Sequence, residues 1–379
     1  MQPILSSLFV VSLLVSAVSA FFHPVFVQNG LVLAKDKINS ADFFLQPPYP
    51  PAPPRLDSPS IDVQADGSIL AGGELFADFA DYQQSDFFRE NNKRCGTPPI
   101  SALNVEAQRA ALSDCSFTLT VIRDEYNSGF VLEIPVVFHI IYGSDGTGNL
   151  TNQQIYDQIA VLNEDFRALP GTLGAPGTDT MVQFRLVDIT RTMNDNWFND
   201  NDESGYKSTL GWDPDNYLNI YTNTASGYLG YSSFPQDSAG SVWDGVVVLY
   251  EVVGGRDNGA GIYDEGRTLT HELGHYFGLF HTFESYPNPP GCYTGYTLGD
   301  LINDTASENI DHYDCVQTTT CGTPDPITNY MNYTPDNCMN NFTPEQSNRL
   351  ICSLVNYRPQ LYEVLIPYTD HVFLPMLIR

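Results

Sequence analysis

The sequence predicts an α/β (α+β) domain. Two observations carry that class. Between residues 129 and 279, short apolar runs of strand character alternate with helical patterns. After His281 the periodicity fades into a segment rich in Gly, Asn, Asp, Thr and Pro that holds Cys292, Cys315, Cys321 and Cys338. A long loop-rich segment of that kind needs covalent staples. The 379 residues accommodate one large domain with extensions.

Taken in order, residues 4–18 are apolar and small, and Ala17-Val18-Ser19-Ala20 follows. Residues 1–20 therefore read as a signal peptide cut after Ala20, although no Lys or Arg precedes the apolar run. That run is too short for a membrane span, so a secreted, extracellular protein is expected. Residues 21–128 differ from the rest. Gln46 to Pro54 form a polyproline linker, and Phe76 to Tyr82 alternate acidic and aromatic residues. This region reads as a propeptide without a stable core of its own.

The main domain is expected over 129–365. Residues 129–142 make a strand in which His139 is a hydrogen-bonded core residue. Thr151 caps a helix with Ile155, Ile159, Leu162 and Phe166 on one stripe. Strands follow at 181–189, 217–222 and 244–250, and the acidic stretch Asn194 to Glu203 reads as a solvated loop. A helix spans 266–279. Another begins at Thr343, has Pro344 and Glu345 in its first turn, and runs to Tyr357. The tail 366–379 has no assignable role. An added strand, a sorting tag and disorder all fit it.

The chemistry concentrates in residues 271–281, His-Glu-Leu-Gly-His-Tyr-Phe-Gly-Leu-Phe-His, which hold three of the seven histidines. On a helix, His271 and His275 are one turn apart and present two imidazoles to one zinc ion. Gly278 lets the chain leave the helix at positive φ, and the turn returns His281 as third ligand. Three protein ligands leave a position for water, as a catalytic site requires. Glu272 is placed to act as general base.

Further wording narrows the family. Gly266 to Thr270 leads into the helix, and His281-Thr282-Phe283-Glu284 leaves it. Gly291-Cys292, Gly299 to Thr305, Asn329-Tyr-Met-Asn-Tyr333 and Phe342-Thr-Pro-Glu-Gln346 follow. This order closely resembles the pappalysin family of metzincin zinc endopeptidases, over about 130–360. The resemblance implies a twisted five-stranded mixed sheet, an active-site helix, and a disulfide-stapled C-terminal subdomain with a methionine turn at Met331. It gives Tyr333 an oxyanion-stabilising role and makes 229–235 the edge strand bordering the cleft. It pairs Cys292 with Cys321 and Cys315 with Cys338, where the sequence alone allows three pairings. It also places calcium at Asp300 and Thr305, with Asp304 nearby. Asn332 departs from the Asp expected there, which puts one supporting hydrogen bond in question.

Function follows as an expectation: a secreted, monomeric zinc endopeptidase, made as a zymogen and acting on proteins or peptides. The alternative is a catalytically silent metzincin-fold binding or adhesion protein, and the presence of Glu272 weighs against it. A net charge of −28 disfavours nucleic acid and anionic membranes as partners. Asp336 suggests a basic residue just after the cleaved bond. Seven cysteines leave one unpaired. Arg94-Cys95-Gly96 resembles a cysteine switch, with Cys95 as zinc ligand in the zymogen and Cys115–Cys352 as the third disulfide. Its rival is a Cys95–Cys115 loop that frees Cys352. Arg109 and Arg123 are candidate activation sites.

Overall fold

The structure is a computed structural model, described over residues 61–64, 66–100, 113–255, 261–286 and 291–366. The expected signal peptide, the proline-rich linker, Arg109 and the tail beyond Ile366 lie outside the described residues.

Residues 61–64 and 66–100 are folded, and their apolar side chains join the main core rather than forming one of their own. Strands β1 (Ile61–Val63), β2 (Ile69–Ala71) and β3 (Glu74–Phe76) form an antiparallel meander. Helix α1 (Phe79–Gln84) is capped by the Asp78 side chain, and α2 (Asp86–Glu90) by that of Ser85. The acidic-aromatic alternation is therefore a pair of capped helical turns with an aromatic face. Phe76, Phe79, Tyr82 and Phe88 are buried in the main core. Phe79 meets Tyr250 edge-on at 6.2 Å, and Phe88 meets Tyr263 at 5.9 Å and Tyr313 at 6.3 Å. The partner surface lies more than 150 positions downstream, so no local pattern announces this burial.

The centre is β4 (Val131–Tyr142), an apolar run covered on both faces. Helix α3 (Asn152–Phe166) follows, closed at its start by a Thr151/Gln154 capping box. It buries Ile155, Leu162 and Phe166 as expected, while Ile159 is only partly covered. Strand β5 (Val182–Met193) pairs parallel with β4. The expected acidic loop is instead α4 (Asp195–Phe198) and the start of α5 (Glu203–Leu210). Asn194 and Asp202 cap these helices, so polarity that reads as solvation is partly helix-starting chemistry.

Strand β6 (Leu218–Asn223) lies parallel to β4 on its other side. Strand β7 (Gly230–Ser232) and helix α6 (Pro235–Ser238) precede β8 (Val246–Leu249). Strand β8 runs parallel to β6, and β7 is antiparallel to β8. The order β5-β4-β6-β8-β7 is the expected five-stranded mixed sheet, with β7 on its edge.

Helix α7 (Arg267–Tyr276) is buried along its whole length. Helix α8 (Pro344–Tyr357) opens with a Thr343/Gln346 capping box. A sixth strand, β9 (Glu363–Leu365), pairs with the first residues of β4. It was not foreseen, because three exposed residues carry no periodicity.

Three disulfides join Cys115 to Cys352, Cys292 to Cys321 and Cys315 to Cys338. Cys95 is free and buried, so the alternative Cys95–Cys115 loop is not formed. His139 is a core residue, with Nδ1 2.8 Å from Thr190 Oγ1 and Nε2 2.9 Å from Asn219 Oδ1. Asp165, at the end of α3, accepts from Thr270 Oγ1 of α7 (2.7 Å) and from the Tyr330 hydroxyl (2.8 Å), and lies 3.6 Å from the Arg267 guanidinium. One buried carboxylate thus ties α3, α7 and the turn around Met331 together.

Candidate active site

Helix α7 begins at Gly266 in the left-handed region, with no cap from its own side chains. Asp336 supplies one from outside. Its Oδ2 accepts from Glu265 N and Arg267 N, each at 3.0 Å, so a carboxylate sits at the positive end of the helix. At the other end Gly278 has φ +87°, and a Cβ there would lie 2.5 Å from Ser353 Oγ. Gly278 N donates to His275 O (2.8 Å) and Leu279 N to Gly274 O (2.9 Å), closing the helix as the chain turns back.

The turn delivers His281. Its ring centroid is 4.4 Å from that of His275 and 5.2 Å from that of His271. His271 Nδ1 lies 2.6 Å from Tyr330 O, and His275 Nδ1 lies 2.8 Å from Leu279 O. A carbonyl accepts only, so each Nδ1 carries the proton and each Nε2 presents a lone pair to the centre. His271 Nε2 is buried without a partner, and the Nε2 atoms of His275 and His281 stand 2.9 Å apart. Burial holds His271 and His281 well below the usual histidine range, and His275 falls to about 3. Unprotonated, converging imidazole nitrogens fit a zinc ion.

Cys95 completes the set: its Sγ and one nitrogen of each histidine all lie within 4.8 Å of one another. Burial pushes its thiol well up, helped by the Glu272 charge. The Cys95 thiol donates to Glu272 Oε2 at 3.5 Å, and Thr97 Oγ1 lies 3.1 Å from the same oxygen. Glu272 Oε1 is buried without a partner, and burial raises the carboxyl to about 7. The segment around Cys95 is strapped to the sheet edge. Leu229 N donates to Lys93 O (3.0 Å), Gly96 N to Gly230 O (2.9 Å) and Ser232 N to Thr97 Oγ1 (3.0 Å). The expected edge at 229–235 is therefore occupied, by a chain running in the same direction as β7. Thr97 and Ser232 were not singled out in the sequence. The Cys-Gly-Thr run beside the motif cysteine is the only local sign of them.

Met331 lies directly under α7, where a Cβ on Gly274 would collide with its sulfur. The Tyr333 ring is 4.8 Å from that of His281, and burial keeps its phenol protonated. Asn332 retains a supporting bond despite the departure from Asp. Its Nδ2 donates to Glu308 Oε1 (2.9 Å), and its Oδ1 accepts from Tyr333 N (2.7 Å).

Arg94 is fully buried and its guanidinium forms no hydrogen bond. It lies over the Tyr263 ring at 4.8 Å, and its charge partly offsets the burial that pushes Asp336 up to about 6. Asp336 Oδ1 has no partner. Asp300 and Thr305 are buried beside one another; burial pushes Asp300 well up, and the Thr305 hydroxyl works against that shift. Asp304 is otherwise engaged, accepting from Glu345 N at 2.9 Å. No helix among the described residues is long and apolar enough to cross a membrane.

Comparison with known proteins agrees with this geometry. Residues 202–355 match the family model described as Pregnancy-associated plasma protein-A. An extracellular metalloprotease of Colletotrichum graminicola is 37% identical over 238 residues, 60% of this chain and 78% of that protein. One from Verticillium alfalfae is 35% identical over 277 residues, covering 70% of this chain and 89% of the relative. Among solved structures, mature mirolysin of Tannerella forsythia in complex with a cleaved peptide is 30% identical. It covers 62% of this chain and 100% of that one, with a TM-score of 0.51. A promirolysin mutant from the same organism is 28% identical, covers 63% and 86%, and has a TM-score of 0.52. The sheet order, the buried histidine helix and these relatives together place the chain in the pappalysin family of metallopeptidases.

Proposed function

We propose that this chain is a secreted zinc endopeptidase made in a latent form. The observation that carries the reading is the convergence of His271, His275 and His281 around one point, with Glu272 beside it and Cys95 directed into it. Zinc held by the three imidazoles would acidify a water and polarise the scissile carbonyl. Glu272 takes the proton from the attacking water and passes it to the leaving amine; its carboxyl near neutrality suits both transfers. The protonated Tyr333 hydroxyl donates to the developing oxyanion. No covalent intermediate is required. The relatives named extracellular metalloproteases support export of this chain.

In the latent form Cys95 takes the place the water needs. A bound dication would offset the burial that keeps the Cys95 thiol protonated, so that Cys95 could bind as thiolate. Removal of residues 93–97 would free the outer edge of β7, whose Leu229 N and Gly230 O they occupy. An extended substrate would add there as a strand, with sequence-tolerant main-chain bonds. A silent binding protein has no need of a base, and an intact Glu272 favours the enzyme.

Arg94 models the side chain the cleft accepts. A guanidinium over Tyr263, within the field of an Asp336 carboxyl with one free oxygen, argues for a basic residue at that subsite. The buried Asp300 carboxyl beside the Thr305 hydroxyl argues for calcium in the loop below the zinc, since a buried carboxylate with an adjacent oxygen donor suits a hard cation.

Four outcomes are expected. Glu272→Gln should keep its zinc and lose casein hydrolysis by several orders of magnitude, whereas Cys95→Ala should yield a precursor that is active or self-processing; an active Glu272→Gln protein removes the base assignment. On a peptide library, the activated enzyme should prefer Arg or Lys at one subsite, and Asp336→Asn should erase that preference; an unchanged profile removes the subsite. Calcium should raise the thermal midpoint of the wild type and not of Asp300→Ala, and identical melting with and without calcium contradicts the calcium loop.

A further inference from the structure

A second convergence of ligand-type atoms lies beside the turn around Met331, apart from the histidine site. Glu308, His312 and Asp325 are all buried. His312 Nε2 stands 3.2 Å from Glu308 Oε2, 3.2 Å from Asp325 Oδ2 and 3.4 Å from Thr318 Oγ1. One nitrogen thus faces three oxygens at nearly equal range. A single N–H cannot point at both carboxylates, and each distance suits two atoms that share an ion.

We propose that Glu308, His312 and Asp325 bind a second divalent transition-metal ion of the zinc class. Charge is the first argument. Two buried carboxylates against a neutral imidazole leave two negative charges, which a dication neutralises and a protonated imidazole would only halve. Donor type is the second. One imidazole nitrogen with two carboxylate oxygens suits zinc or manganese, whereas calcium prefers an all-oxygen set.

Support around the cluster is the third argument. Asn332 Nδ2 donates to both Glu308 oxygens, at 2.9 and 3.1 Å. Asp325 Oδ1 accepts from Thr320 N and Thr320 Oγ1, each at 2.9 Å, and Thr318 Oγ1 donates to Asp325 Oδ2 at 2.5 Å. Both carboxylates are therefore held in place by neighbouring donors, as ligating groups usually are. The remaining coordination would come from water or Thr318. The ion would cross-link the loop through 308–325 to Asn332, whose Oδ1 holds the backbone of Tyr333. Its role would be structural, bracing the residue assigned to the oxyanion through Asn332.

The inference does not rest on the peptidase reading, and metal counting separates the two. Full-length precursor, equilibrated with micromolar zinc chloride and desalted, should carry two zinc ions per chain by plasma mass spectrometry. His312→Gln should carry one, and His275→Gln should also retain one. A wild type that saturates at one zinc, or a His312→Gln protein that still holds two, overturns the proposal. Should His312→Gln fail to fold, cobalt decides on the wild type: added to precursor already holding one zinc, it should bind and produce visible d–d absorption. Absence of any new band overturns the second site. A single zinc with a thermal midpoint that falls as pH rises would instead identify His312 as a protonated bridge.

Discussion

The site depends on two carbonyl oxygens fixing two imidazoles. Tyr330 O and Leu279 O take the Nδ1 protons of His271 and His275, which turns both Nε2 lone pairs inward. Those carbonyls come from different parts of the chain. Tyr330 belongs to the turn that carries Met331, and Leu279 exists in its position because Gly278 adopts φ +87°. Asp165 anchors the first arrangement by binding the Tyr330 hydroxyl, Thr270 and Arg267 together. Ser353 of α8 backs the second, packed where a Cβ on residue 278 would go. Removing any one of these supports frees a histidine to rotate, and a ligand set that must hold to fractions of an ångström is lost.

The proposed latency would use the same architecture in reverse. Residues 66–100 form a small folded layer whose aromatic residues complete the main core, while residues 93–97 lie along the sheet edge. The core contacts give the segment a fixed approach, and the edge bonds set the register that brings Cys95 to the histidines. Arg94 occupies the space beside Asp336 at the same time. Latency read this way needs no mobile lid: one stretch of chain blocks the metal position, the strand edge and a side-chain subsite together.

Much of this was legible because the controlling features are local. The His-Glu-x-x-His-x-x-Gly-x-x-His run encodes a helix face, a positive-φ exit and a returning histidine within eleven residues. The Thr151 and Thr343 caps, the apolar β4 run and the odd cysteine are similarly short-range. What escaped is non-local. The burial of Phe79 and Phe88 depends on Tyr250, Tyr263 and Tyr313, and the capping of α7 depends on Asp336, about seventy positions away. The stretch 194–203 misled because Asn and Asp serve both solvated loops and helix starts. Asn332 misled in the other direction: Glu308 accepts from its amide, so the departure from Asp leaves a bond intact.

The central claim is that Cys95 and the three histidines bind one zinc ion in the intact precursor. Cys95 is the only cysteine outside the three disulfides, so any thiolate on zinc must be its own. X-ray absorption at the zinc edge of the full-length precursor tests this most directly. A sulfur shell at about 2.3 Å, present in the wild type and missing from Cys95→Ala, is the result expected. A zinc environment of nitrogen and oxygen alone in the intact precursor would contradict it.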